Sequence, residues 1–218
     1  MFVLFCEGRN TEPSYFGAIR SVHSRALIEI KVYGGVGVPY TVAEKAVEFA
    51  QASRLTKGNR RAGQSFAEHD QVWAIFDVDE HPRFNEAVAL CERHGVRVAR
   101  SNPCFELWLI LHLEDYDRPN QRRALQARLG TLRPEFNPRG SKTLDCNSLM
   151  NLVQLAEARA AAQLQKRSDG GIPYDNPSTT VGLLTRVRHS EILWAPKSLC
   201  TNHLILCALP VCHYRIFR

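Results

Sequence analysis

Short apolar runs alternate with longer stretches of helical period over the first 114 residues. Residues 2–6 (FVLFC) form an unbroken apolar run ending at Glu7-Gly8, the pattern of a strand buried on both faces and leading into a turn. Asn10 or Thr11, followed by Glu12-Pro13, signals a helix start. Tyr15, Phe16, Ile19 and Val22 give that helix an apolar face to about residue 24. Residues 27–33 alternate as a second strand, closed by Gly34-Gly35-Val36-Gly37. Thr41 and Glu44 then make a capping box for a helix striped by Val42, Ala46, Phe49 and Ala50. A third strand is predicted at 71–76, a helix at 84–94 with Gly95 in the C-terminal stop position, and a fourth strand at 96–100. Asn102-Pro103 opens a helix to residue 113 (CFELWLILHL) so apolar that it must be buried on most sides. Strand and helix four times over predict an α/β fold, a mostly parallel sheet flanked by helices on both faces.

The pattern changes after residue 114. Helices are predicted at 116–133 and 147–166, with a Pro and Gly loop between them, and again from Asn176-Pro177-Ser178 to about residue 188. The expected organisation is an α/β core at 1–114, a helical extension packed on it at 115–190, and an atypical tail at 191–218. That tail has no clear period. Its Cys200, His203, Cys207, Cys212 and His213 are zinc-ligand types at a spacing that matches no zinc motif, so a frameshifted or otherwise atypical terminus is the expectation. A central strand starting at the second residue likewise leads us to expect a longer N-terminus.

Composition narrows the compartment and the partner. The seven cysteines are odd in number and mostly sit in apolar runs, the usage of a reduced, cytoplasmic protein. The N-terminal apolar run is too short for a signal peptide, and no run is long enough to span a bilayer. Lys plus Arg number 28 against 22 Asp plus Glu, and a net charge of +6 suits a polyanionic partner as well as a merely basic soluble protein.

The candidate chemistry lies in VWAIFDVDEH, residues 72–81. Glu7 ends the first strand and Asp77 the third, and chemistry in parallel α/β sheets sits at the carboxyl ends of strands. Asp77 and Asp79 project to one side of an extended segment, about 7 Å apart at a rise of roughly 3.3 Å per residue. Carboxylates at that spacing repel unless a hard divalent cation sits between them, and Mg2+ is the expected ion, with Mn2+ as an alternative. The competing structural role is capping, since Asp79 and Glu80 precede a helix start near Pro82; it leaves Asp77 and Glu7 unexplained.

Four segments carry a family resemblance: CEGRNTEPSYF at 6–16, FDVDEH at 76–81, SNPCFELWLILH at 101–112 and NPSTTV at 176–181. Together, and in this order, they resemble the RloB-like family, a TOPRIM-type group of bacterial defence proteins. The resemblance implies a TOPRIM-like fold in which a glutamate after the first strand and a DxD pair after a later one bind Mg2+ and act on nucleic-acid phosphodiesters. Here these are Glu7, Asp77 and Asp79, as metal ligands and catalytic groups. It also implies a place in phage defence or restriction loci, often beside a partner ATPase. The stretch after residue 188 does not resemble the family.

Other residues stand around this expected site. Glu106 and Asn102 follow the fourth strand and are candidates for a second metal or for orienting the first, while Glu80 and His81 are candidates for support or proton transfer. His112 is expected to be structural. For the nucleic-acid backbone the candidates are Arg9, the basic loop with Arg54, Lys57, Arg60 and Arg61, then Arg122 and Arg123, and Ser178 and Thr179 at a helix start. The glycines at 34, 35 and 37 read as a turn before they read as a phosphate loop.

Two rival functions remain. AIFDVDEH is similar to the DxDxT segment of haloacid-dehalogenase-type phosphatases, with Asp77 as nucleophile and Asp79 as acid/base, but His81 stands where Thr is expected and two βα units precede it. The other rival is a non-catalytic module that binds nucleic acid or an ATPase. The leading expectation is a Mg2+-dependent nuclease in antiphage defence.

Overall fold

A computed structural model describes residues 2–22, 30–57, 71–78, 81–137, 140 and 144–186. Strands β1 (Phe2–Cys6), β2 (Ile30–Tyr33), β3 (Gln71–Asp77), β4 (Arg97–Asn102) and β5 (Ser178–Thr179) form one sheet in the order β2-β1-β3-β4-β5. The first four strands are parallel and β5 pairs antiparallel on the β4 side. This is the α/β class that the strand and helix alternation predicts. From β1 the chain steps outward to β2, then crosses back to β3 on the other side. The order therefore switches between β1 and β3, and the crevice for a ligand lies outside the carboxyl ends of that pair.

Alternation along the strands divides the core into two layers. Phe2, Leu4 and Cys6 of β1, with Trp73 and Ile75 of β3, face a layer built by α1 (Thr11–Val22), α4 (Glu106–Leu113), α5 (Arg122–Leu132) and α6 (Val153–Asp169). Val3, Phe5, Ala74 and Phe76 face α2 (Pro39–Lys57) and α3 (Phe84–Arg93). Period-two strands with apolar residues on both sides require helices on both faces, and here they have them. Helix α4 lies at the centre of the first layer, where every residue from Glu106 to His112 is buried. Burying a glutamate within that run demands a partner.

Residues 115–186 are continuous with this core. They supply β5 to the sheet and Leu125, Leu129, Leu149, Ala156 and Val181 to the α1/α4 layer. Three local expectations are corrected. The helix expected from residue 116 starts at Arg122, because both backbone groups of Asn120 are held by the Asn176 side chain: its N–H donates to Asn176 Oδ1 (3.2 Å) and its carbonyl accepts from Nδ2 (2.7 Å). The long helix expected from residue 147 begins as a 3-10 segment, Cys146–Leu152, before α6. At 178 a strand replaces the expected helix start, and the helical residues are 181–186. Hydroxyl pairing fixes that strand: Ser101 Oγ and Thr179 Oγ1 are 2.8 Å apart, and the Arg100 N–H donates to Thr180 Oγ1 at 2.9 Å.

Cys6, Cys91, Cys104 and Cys146 are free and buried. Among the described residues no helix is long and apolar enough to cross a membrane. The tail at 191–218, with its cysteines and histidines, lies outside the described residues.

Candidate metal centre

The carboxyl ends of β1 and β3 are pinned before any side chain is considered. The Glu7 N–H donates to the Ile75 carbonyl (3.1 Å) and the Val78 N–H to the Ser101 carbonyl (2.9 Å), so the sheet ladder runs through both expected site residues. Glu7 then folds back, and its Oε2 accepts the backbone N–H of Asp77 at 3.2 Å. Asp77 continues the side of β3 that carries Trp73 and Ile75. Its carboxylate accordingly emerges toward α1, α4 and α5.

Three further charged groups meet it there. Glu12 in the first turn of α1, Glu106 in the first turn of α4 and Arg122 at the start of α5 line a cavity of about 200 Å3 together with Glu7 and Asp77. Asp77 and Glu12 are each 5% exposed and Glu106 is 3% exposed, so these carboxyls have left bulk water. Each is held by a separate donor. Arg122 Nη2 donates to Asp77 Oδ2 (2.8 Å), Gln126 Nε2 to Glu106 Oε1 (2.9 Å), and the Gly8 N–H to Glu12 Oε1 (3.1 Å). Arg122 and Gln126 are one helical turn apart, so a single face of α5 contacts both acids.

Burial raises the Asp77 carboxyl well above its ordinary range, and Glu12, Glu106 and Glu7 raise it further; Arg122 offsets only part of this. Burial also raises Glu12, reinforced by Glu106 and Glu7 and opposed by hydrogen bonds from its own N–H and that of Gly8. Cys104, beside Glu106 and Asp77, is pushed up by burial and stays a thiol. The available donors at the cavity are therefore carboxylate oxygens, the set a hard divalent cation prefers. Among the described residues no three His, Cys, Asp or Glu side chains already form a cation cage. The acids ring the cavity on four different elements, each turned toward its own donor. By donor type these oxygens would suit a hard divalent cation, with Glu7 and Asp77 nearest the strand ends.

The β1–α1 loop that carries Glu7 is shaped by the glycines after β2. The Gly35 N–H donates to the Gly8 carbonyl at 2.8 Å, and a Cβ on Gly34 would stand 2.6 Å from Pro13 Cγ. Gly35 has φ +67°, so the segment is a packed turn that lets two loops approach closely.

The other expected residues are placed as follows. His81 Nε2 stands 3.7 Å from Glu7 Oε1, at the edge of the centre. Arg9 is exposed and lines the cavity mouth, while Arg123 is exposed on α5. Asn102 does not line the cavity; its Nδ2 donates to the Tyr174 carbonyl at 3.0 Å. Ser178 and Thr179 are buried in β5, where they pair with β4, and do not stand at a helix start. Asp79, Glu80, Arg60 and Arg61 lie outside the described residues, as do the side chains of Arg54 and Lys57 at the end of α2. His112 is structural. Its Nδ1 donates to the Trp108 carbonyl (2.9 Å), which leaves Nε2 to accept from Tyr15 Oη (3.1 Å), and burial lowers its pKa to about 4.

Sequence reasoning assigned Glu12 to a helix start alone, though a buried acid among Thr11, Tyr15 and Phe16 is the signal that marks it. The family model described as RloB-like protein matches residues 2–187, and the chain belongs to that family. Neither the curated proteins nor the solved structures gave a match.

Proposed function

We propose that this RloB-like protein is a Mg2+-dependent nuclease of TOPRIM type that hydrolyses nucleic-acid phosphodiesters in bacterial antiphage defence. The observation that carries the reading is the contact between Glu7 and Asp77. Acids from two strands remote in sequence meet at the switch point of a parallel sheet, beside two further buried carboxyls.

A bound Mg2+ supplies positive charge to a phosphate oxygen as negative charge develops there. Asp77 and Asp79 hold the ion in this reading. Glu7 takes a proton from the attacking water or returns one to the leaving oxygen, and His81 sits close enough to relay it through water. Glu12 and Glu106 deepen the negative field that draws the cation in. Arg9, at the mouth, contacts phosphate. Among the described residues no tyrosine lines the cavity, and Tyr15 is engaged by His112, which favours hydrolysis by water over a tyrosyl intermediate.

The test is a panel of DNA and RNA substrates with and without Mg2+, using the intact chain beside Asp77→Ala and Asp79→Ala. Mg2+-dependent cleavage lost in both variants supports the proposal. Hydrolysis of small phosphoesters alone points to the phosphatase reading. A chain without turnover whose variants still function in a phage-challenge assay contradicts both.

A further inference from the structure

A second cavity, of about 740 Å3, straddles the edge of β4 away from the acidic centre. β5 and Thr180 cover β4 only at Arg100, Ser101 and Asn102, so among the described residues nothing pairs with the outer edge of Arg97–Ala99. An open edge invites either an added peptide strand or a ligand that reads side chains. The side chains decide between them. Arg97, Arg100 and Arg186 line the cavity against one acid, Glu92, and charged residues on an edge strand blunt strand addition. Arg186 is bonded to the Glu157 carbonyl at 2.8 Å, and the guanidinium groups of Arg97 and Arg100 complement a polyanion.

The rest of the lining points to unpaired bases. Val88, Val96 and Val98 make an apolar floor. Tyr174, 42% exposed, stands at the rim with the Arg100 guanidinium stacked 3.4 Å from its ring centroid. Tyr174 holds φ +67°, a backbone conformation that a bulky residue rarely adopts and that persists where surroundings enforce it. What enforces it includes Asn102 Nδ2, bonded to its carbonyl. An aromatic ring and a guanidinium plane beside an apolar floor accept a base that is free of its duplex; a base stacked inside a helix cannot reach them.

We propose that this groove binds single-stranded nucleic acid, with the backbone on Arg97 and Arg100 and a base on Tyr174. Arg97 pairs in register with Trp73 and Ser101 with Asp77, so Arg97 stands roughly 13 Å along β4, at about 3.3 Å per residue, from the level of the acids. The inference rests on the nuclease reading for its meaning and deepens it, naming an unpaired strand as the substrate form.

Binding is measured with the intact chain in EDTA, so that no cleavage is required, by fluorescence anisotropy of labelled single-stranded DNA, single-stranded RNA, duplex DNA and an unrelated peptide. The expected result is tighter binding of a single strand than of duplex. Tyr174→Ala weakens it by roughly five- to a hundred-fold, the range for loss of one stacked base, while Tyr174→Phe retains it. Arg97→Ala, on an exposed position, lowers the slope of log K against log salt by about 0.7. Circular dichroism confirms that each variant is folded. Equal affinity for duplex, an unchanged Kd in Tyr174→Ala together with an unchanged salt slope in Arg97→Ala, or capture of the peptide instead overturns the groove. Single-strand binding without any Mg2+-dependent cleavage removes the nuclease reading and leaves the groove standing, so the two failures are distinct.

Discussion

The backbone N–H of Asp77 donates to the Glu7 side chain across 3.2 Å, joining the last residue of β3 to the first residue beyond β1. The bond makes Glu7 part of the fold as well as part of the centre. Glu7→Gln keeps an oxygen that accepts this donor, whereas Glu7→Ala leaves a partly buried amide without it. Denaturant titration in EDTA is expected to show Glu7→Ala less stable than Glu7→Gln by about 1–2 kcal/mol. Equal midpoints would mean the bond has no structural weight.

Asp77 is buried beside Glu12, Glu106 and Glu7. Its folded pKa lies above its unfolded value, so the stability it contributes is fully present below the unfolded value, near 4, and is lost as pH rises through the folded one. Asp77→Asn removes the charge at nearly constant shape. Without divalent cation the variant is expected to melt above the parent at pH 8, with the gap closing on acidification. Mg2+ is expected to reverse the order, because it stabilises the parent more than the variant, the parent by about 2.7 kcal/mol at a hundred times its Kd. Calorimetric melts with EDTA and with Mg2+ at both pH values check this.

Among the described residues Arg122 is the cation paired with Asp77. Its removal leaves the acids facing one another. Arg122→Gln is expected to lose about 1–3 kcal/mol in EDTA, the range for taking the donor from a buried charged group, and to gain more from added Mg2+ than the parent does. In a double-mutant cycle with Asp77→Asn the two effects should be strongly non-additive. Additive effects would separate Arg122 from the centre.

The features legible in sequence are those with a local signature. An apolar run stopping at an acid marks the end of a strand, which is why Glu7 and Asp77 stand out, and the strand and helix alternation carries the sheet. Arg122 had only a phosphate-binding rationale, since no short-range pattern ties residue 122 to residue 77; the pairing arises from α5 docking on the α1/α4 layer. β5 was misread because Asn176-Pro177-Ser178 has the chemistry of a helix cap, and its two residues take their conformation from β4 rather than from any period of their own. The burial of Ser178 and Thr179 follows from that pairing.

His112 gives a pH signature independent of the metal. Its folded pKa of about 4 lies below the unfolded value of about 6.5, so its contribution is complete above the unfolded value and is lost as pH falls toward the folded one. The loss over that window is on the order of 3 kcal/mol. Stability of the parent should therefore fall between pH 6.5 and 4 more steeply than that of His112→Gln. Parallel curves would show that His112 takes up its proton as readily in the folded chain as in the unfolded one.

Whether Glu7 and Asp77 share one divalent ion decides between a metal centre and a purely structural cluster of acids. Isothermal titration of Mg2+ into the metal-free chain measures this directly, with Glu7→Gln and Asp77→Asn alongside. One saturable binding event that weakens at least tenfold in each folded variant is the predicted result. Mg2+ binding that is absent from the parent, or untouched by either substitution, would contradict it.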